Sequence, residues 1–420
     1  MNLFSLAWKS LWHRRTTSLL TVASIAISAM LLLGVLRAKH TAKDSFMGAI
    51  AQTDLIVGAR SGTLQLLLYT IFNMGTATQN VSYETFQEFK KHPAVQWAVP
   101  ISLGDSHRGF RVLSTTPDFF AHFRVRGDQA LSFKHGQVFQ GLWDVVIGSQ
   151  VAEELKYSLD QKIVLSHGVT QGIGILDHQD KPFHVVGILA PTGTIWDRTV
   201  YIGLKGMQAL HLDWKDGAMP KKDQRLDPSK IDEEKIEISQ ITSFLVRTQS
   251  RMEVLTLQRE INTYQQEPLL AIIPGVALSE FWRNLSYFEN AMMVMSWMVM
   301  VVGLLTMVIA LLTSLNERRR EMSILRSLGI SPWQIMSLLV FESCLLTFAG
   351  VLCGMLLEFL VLISVRGFLE SEYGFVMTSL SPSTSQILSL LLMLCLGIVI
   401  GLFPAWRSMK LSLKDGLRIS

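Results

Sequence analysis

Four apolar runs, each long enough to cross a bilayer, constrain this chain more than any other feature. Residues 16–36 hold about 21 positions without a charge, and a hydrocarbon core of about 30 Å needs roughly 20 residues of helix. Further runs follow at 291–315, 333–365 and 384–406. The long stretch between the first and second runs is polar and mixed. Apolar residues make up 49% of the 420 positions and charged residues 17%, with a mean hydropathy of +0.32. That is too apolar for an ordinary soluble domain and too polar for a bare helical bundle. The formal charge is only +4. Its basic residues gather beside the apolar runs, a pattern of membrane topology and not of nucleic-acid binding.

In chain order, Leu3, Phe4, Ala7, Trp8 and Leu11 fall at helical spacing beside Lys9, His13, Arg14 and Arg15. Residues 1–15 thus read as an interfacial helix on the cytoplasmic leaflet. Basic-then-apolar order also suits a cleaved signal peptide, but the 16–36 run is longer than a signal core and no small-x-small cleavage site follows it, so a retained first span is expected. Residues 37–290 alternate short strands (54–58, 95–101, 109–114, 144–148, 162–166, 183–189, 199–202 and 243–248) with helices (83–91 capped by Ser82, 150–157 and 252–265). That alternation predicts a compact α/β domain. The charged stretch Asp213–Glu237 reads as a solvated loop. Gly58–Gly62 followed by the apolar run 63–72 has no Gly-Lys-Ser/Thr for a phosphate loop. It reads as an amphipathic segment under the domain against the outer leaflet, with contact to an apolar cargo or lipid tail as the alternative.

After this domain, residues 279–314 hold no Pro and only Gly303, so one long helix is expected, with Phe281, Leu285, Phe288 and Met292 as a stalk stripe leading into the second span. The third span (333–365) carries Glu342, Glu358 and a Gly350-x-x-x-Gly354 packing signal. Glu342 is expected to accept hydrogen bonds from the neighbouring connector or first span. Glu358 has no assigned partner and is expected to snorkel or to be protonated. A short outer loop (366–383), the fourth span (384–406) and a basic tail (407–420) complete the chain.

The connector at 316–332 carries Arg318, Arg319, Arg320 and Arg326, which marks its side as cytoplasmic. Met322, Leu325 and Leu328, with Ile324 one position off, give it an apolar face. Glu317 and Glu321 lie one turn apart, within pairing reach of the arginines. Gly329 suits a left-handed helix end, and Ser331-Pro332 a new start.

The run ERRREMSILRSLG, placed between second and third spans and followed by Glu342-Ser343, resembles the coupling segment of MacB/FtsX-like ABC transporter permeases. The runs DVVIGSQVAEELKYSLDQKIVLS and FHVVGILAPTGTIWDRTVYIGL resemble the inserted β-rich lobe (141–240) of MacB-type extracytoplasmic domains. Their flanks (40–140 and 241–280) resemble the split second lobe. The closing GLFPAWRSMKLSLKDGLR resembles the family's C-terminal pattern. The resemblance implies an α-helical membrane protein with four transmembrane helices and a large α/β extracytoplasmic domain, with both termini cytoplasmic, in a bacterial inner membrane. It further implies a separate cytoplasmic ABC ATPase that binds ATP and Mg, docked on Glu317, Arg318, Arg319, Glu321, Met322, Leu325, Arg326, Leu328 and Gly329. A second permease copy, identical or related, is implied, and a periplasmic adaptor or lipoprotein is a further candidate partner. The family's mechanism is mechanical, with ATPase motion transmitted to the outer domain. Alternatives are an FtsX-like regulator of a cell-wall hydrolase and a membrane-anchored sensor without an ATPase.

Chemistry of its own is not expected here. There is no Walker A motif, no His-Glu-x-x-His, no nucleophile elbow and no cysteine pair at metal spacing. Neither a catalytic residue nor a metal site nor a resident cofactor is therefore expected. The ten histidines are scattered, and pairs such as His167 and His178 read as surface residues. The three cysteines (Cys344, Cys353, Cys395) lie in spans, so the outer domain is held by its core without disulfides.

Overall fold

The structure, a computed structural model, describes residues 11–168, 178–214, 226–317, 329–373 and 381–415. In chain order its helices are α1 (Arg15–Gly48), α2 (Thr63–Phe72), α3 (Tyr83–Lys90), α4 (Asp118–His122), α5 (Ser149–Leu155), α6 (Leu204–His211), α7 (Glu253–Asn262), α8 (Pro274–Glu317), α9 (Pro332–Tyr373) and α10 (Thr384–Asp415). The longer strands are β1 (Leu55–Ala59), β2 (Val95–His107), β3 (Phe110–Thr115), β4 (Phe133–Gly136), β5 (Asp144–Ile147), β6 (Phe183–Leu189), β7 (Thr199–Gly203), β8 (Ser243–Thr248) and β9 (Leu269–Ile272). The chain divides into two units, one of residues 42–284 and 369–378 and one of residues 1–41, 285–368 and 379–420.

The first unit is built on one mixed sheet in the order β9-β1-β8-β2-β3-β7-β5-β6-β4, with short strands Lys162–Ile163 on β6 and Ser166–His167 on β2. Strands β9, β1, β8, β2 and β3 form an antiparallel half. A parallel ladder from Thr199↔Arg111 to Gly203↔Thr115 joins it to the half made by β7, β5, β6 and β4.

Strand period two sorts the core. In β1, Ile56 faces a cluster that runs under both halves (Val99, Ile101, Leu113, Val146, Tyr201, Leu245), while Leu55 and Val57 face the other side. There α3 and α7 cover the first half with Phe86, Phe89, Leu257 and Ile261. On the second half α5 and α6 supply Val151, Met207 and Leu210 against Val112, Val145, Phe183 and Val200. Both faces of the sheet are thus sealed, which is why β1 is buried along its whole length.

The strands expected from alternation form near their bounds except 162–166, which gives two two-residue strands, and Ser82 caps α3 by accepting from the Thr85 amide at 3.2 Å. Two elements escape a local reading. Helix α6 contains Gly206, a poor helix former, which is needed because a Cβ there would lie 2.7 Å from the Leu142 carbonyl. Strand β9 is an apolar run of four residues, too short to show a period.

The 63–72 run corrects an expectation. It is a core helix of the domain and not a segment lying on the leaflet: Leu66, Leu67, Tyr69, Ile71 and Phe72 are buried under the sheet. Gly58 makes this possible, since a Cβ there would stand 2.5 Å from Leu66 Cδ1 and 2.9 Å from the Tyr69 hydroxyl.

Among the described residues four helical stretches are long and apolar enough to cross a membrane, over Arg15–Thr41, Pro274–Thr313, Pro332–Phe368 and Thr384–Arg407, and the second unit is built on them. They close on one another at small residues. Gly350 of α9 faces Ile25 of α1, and a Cβ on Gly354 would lie 2.7 Å from the Ala26 carbonyl. Gly397 and Gly401 of α10 face Thr347 and Ser343 of α9, and Gly303 of α8 faces Ser28, whose hydroxyl donates to the Val299 carbonyl at 3.1 Å. Ile25, Leu32, Met300, Met307, Leu346 and Met393 fill the space between.

Candidate functional site

Three groups of residues carry more than packing, and the first is a pair of charges inside the helical unit. Glu358 of α9 pairs with Arg37 of α1, Oε1 to Nε at 2.5 Å, with side-chain exposures of 8% and 12%. The expectation that Glu358 snorkels or sits protonated is therefore replaced by an ion pair between helices. Sequence reading missed Arg37 because it stands just past the charge-free run, whereas the apolar helix continues to Thr41. Glu342 is 2% exposed and lines a small cleft with Arg14, Thr17, Ser18 and Thr21, against the first span. Another polar tie joins α10 to α1, where the Gln386 carboxamide donates to the Leu33 carbonyl at 3.2 Å.

The second group is the connector and the stalk. Arg318, Arg319, Glu321, Met322, Leu325, Arg326 and Leu328 lie outside the described residues, and α8 ends at Glu317. Beyond them Gly329 takes a left-handed φ of +88°. Ser331 and Gln334 then form a reciprocal cap on α9: the Ser331 amide donates to Gln334 Oε1 at 2.9 Å, and the Gln334 amide donates to Ser331 Oγ at 3.4 Å. The four stalk residues do not share one environment. Phe281 packs with Trp282 against the domain core. Leu285 and Met292 are half-buried, and Phe288 exposes 62% of its surface.

The third group was invisible in sequence. His167, His178 and His211 meet around Asp105, and one donor atom from each lies within 4.8 Å of the others. The expectation of scattered surface histidines is thereby corrected: His178 is 1% exposed and Asp105 is fully buried.

Each ligand position follows from local structure. The β2–β3 register gains one residue on β2 between Leu103 and Ser106, and the resulting bulge turns Asp105 inward. The short strand Ser166–His167 pairs with β2 and sets His167 opposite Asp105. His211 is the last residue of α6. Buried Lys181, three residues after His178, holds that helix end by donating to the Ala209 and Leu210 carbonyls and to Asp213.

Distances across the cluster are short. His167 Nδ1 lies 3.3 Å from Asp105 Oδ1 and 3.1 Å from His211 Nε2. His211 Nε2 and His178 Nε2 lie 3.7 and 3.8 Å from Asp105 Oδ2. Neither Asp105 oxygen nor His178 Nε2 has a hydrogen bond of acceptable geometry. Burial pushes the His178 imidazole down to about 4, against the pull of Asp105, so this ring is neutral at physiological pH. Trp214 packs against all three imidazoles, its ring centre 4.7–5.4 Å from theirs. No local spacing announces such a set, since it depends on sheet pairing and on a helix end 44 residues from His167.

Fold and elements together define a membrane protein of four apolar helices, with a large mixed α/β domain between the first and the second. Residues 18–264 match the MacB-like periplasmic core domain, and residues 293–413 match the FtsX-like permease C-terminal domain. The chain belongs to the MacB/FtsX-like family of ABC transporter permeases. Among solved structures it is similar to the periplasmic region of MacB from Actinobacillus actinomycetemcomitans, at 10% identity and a TM-score of 0.36, covering 56% of this chain and 94% of that one. It is also similar to the extracellular domain of the noncanonic ABC-type transporter YknZ from Gram-positive bacteria, at 14% identity and a TM-score of 0.32, covering 52% and 99%. No curated protein matches it.

Proposed function

We propose that this chain is the mechanical subunit of an ABC system in a bacterial inner membrane, with both termini and the 316–332 connector in the cytoplasm. A separate ATPase binds ATP and Mg and docks on the connector. Two permease copies present two connectors to two ATPases. Nucleotide-driven movement of the connectors travels along α8 to the outer domain, which handles cargo outside the membrane without drawing it through a central pore.

The observation that carries this reading is α8. It runs unbroken over 44 residues, from Pro274 to Glu317, or about 66 Å at 1.5 Å per residue, against a hydrocarbon core of about 30 Å. Its first turns hold Ala277, Leu278 and Phe281 against the domain core, and its last described residue borders the connector. The helix has no interior proline to kink it, which supports it as the element that carries displacement from one end to the other.

Substituting Leu285→Asp in the intact complex tests the reading. The ATPase should still co-purify and hydrolyse ATP, while export or extraction of cargo falls by at least tenfold. Transport at the wild-type ratio to hydrolysis would remove α8 as the transmitting element. A permease that co-purifies no ATPase at all would point to the sensor alternative.

A further inference from the structure

We propose that Asp105, His167, His178 and His211 form a binding site for a zinc-like divalent metal ion on the outer domain. The residues are the right kind: three imidazoles and one carboxylate suit Zn²⁺, and also Co²⁺ and Ni²⁺, better than the all-oxygen preference of Ca²⁺ or Mg²⁺. Metal–ligand bonds of about 2.0–2.2 Å in a tetrahedron place neighbouring ligand atoms roughly 3.3–3.6 Å apart. The observed separations of 3.1, 3.3, 3.7 and 3.8 Å lie around that edge and the four donor atoms fall within 4.8 Å of one another, so one ion fits once the side chains close in by about an ångström.

Hydrogen bonding points the same way. His211 Nδ1 lies 3.0 Å from the Met207 carbonyl, which can only accept, so Nδ1 carries a proton and Nε2 is the ring nitrogen turned to the cluster. His167 Nδ1 faces that nitrogen at 3.1 Å and the Asp105 carboxylate at 3.3 Å at once. Asp105 is fully buried and its oxygens meet imidazole nitrogens at 3.3–3.8 Å without good hydrogen-bond geometry, and His178 Nε2 is buried with no hydrogen bond. A buried carboxylate left this way is costly. A divalent cation would satisfy all four donors together, leaving a net charge of +1 with neutral rings.

The site is also reachable. The His167 side chain is 45% exposed and that of His211 27%, while Asp105 is sealed below. An ion can therefore enter from solvent on the histidine side and exchange, which suits acquisition or sensing of metal outside the membrane. Trp214, packed on all three rings, is a built-in optical reporter. None of this depends on the permease reading, so the site can stand or fall alone.

The test uses full-length protein in detergent, carrying no histidine tag and stripped with a chelator. Co²⁺ titration should give the intense visible bands of a tetrahedral nitrogen–oxygen site at one ion per chain, quench tryptophan emission, and be reversed by Zn²⁺. Asp105→Asn and His178→Gln should each weaken binding at least 100-fold, beyond the 10–100-fold cost of losing a mere supporting contact. His167→Gln, changed on the exposed side, should do the same while leaving the metal-free melting temperature unaltered. It should also abolish the rise in melting temperature that Zn²⁺ gives the wild type. His184→Gln, an exposed histidine outside the cluster, should bind as wild type does. Absence of stoichiometric Co²⁺ binding by the wild type, or equal binding by the Asp105, His167 and His178 variants, would overturn the proposal.

Discussion

Arg37 and Glu358 show what a single contact does inside an apolar bundle. Each charge would be costly in hydrocarbon, and each is held because the other neutralises it across two helices. Removing one partner strands the other. Glu358→Ala should therefore lower stability by about 3–5 kcal/mol, seen as a large fall in melting temperature in detergent, whereas the double change Arg37→Met with Glu358→Met should lose much less. Equal losses in the single and double variants would mean that the pair contributes packing alone. Glu358 was legible in the sequence as a charge within an apolar run. Its partner was not, because 321 positions separate the two and nothing local encodes that meeting. The same holds for the histidine cluster, where a bulge in β2, the pairing of a two-residue strand and the end of α6 converge on Asp105. Residue identity announced none of these meetings; tertiary pairing created them.

At the scale of elements, what the sequence showed was periodicity. Alternating strands such as 183–189 and 243–248 could be placed by their two-residue repeat, and the spans by length and lack of charge. The 63–72 segment could not, because an apolar helix suits a leaflet and a core equally well. Gly58 on the neighbouring strand, with room for Leu66 and Tyr69 and for no Cβ, decides for the core. Glycines likewise fix how the spans approach. A side chain on Gly354 would meet the backbone of Ala26, which cannot rotate away, so Gly354→Leu should force α9 from α1. We expect a loss of about 1–3 kcal/mol or more, read as a lowered melting temperature. Gly367→Ala, on the same helix with nothing within 4 Å, should be neutral or slightly stabilising. If both variants melt together, close approach at Gly354 is not what joins these helices.

Across the whole molecule, one chain carries two different structures, an apolar four-helix unit and a sheet-based domain, with α8 contributing residues to both. The domain has its own sealed core and needs no cysteine, all three of which lie in α9 and α10. Changes at the connector should therefore leave the domain folded. The central claim is that the connector recruits an ATPase, and co-purification of that ATPase with Leu325→Asp permease tests it most directly. An apolar side chain buried at an interface contributes about 1.5–3 kcal/mol, whereas a rim ion pair contributes about 0–1 kcal/mol. Leu325→Asp should accordingly abolish ATPase recovery, and Glu321→Ala should only weaken it, with unchanged circular dichroism in both. Recovery of the ATPase with Leu325→Asp permease at wild-type stoichiometry would contradict the account.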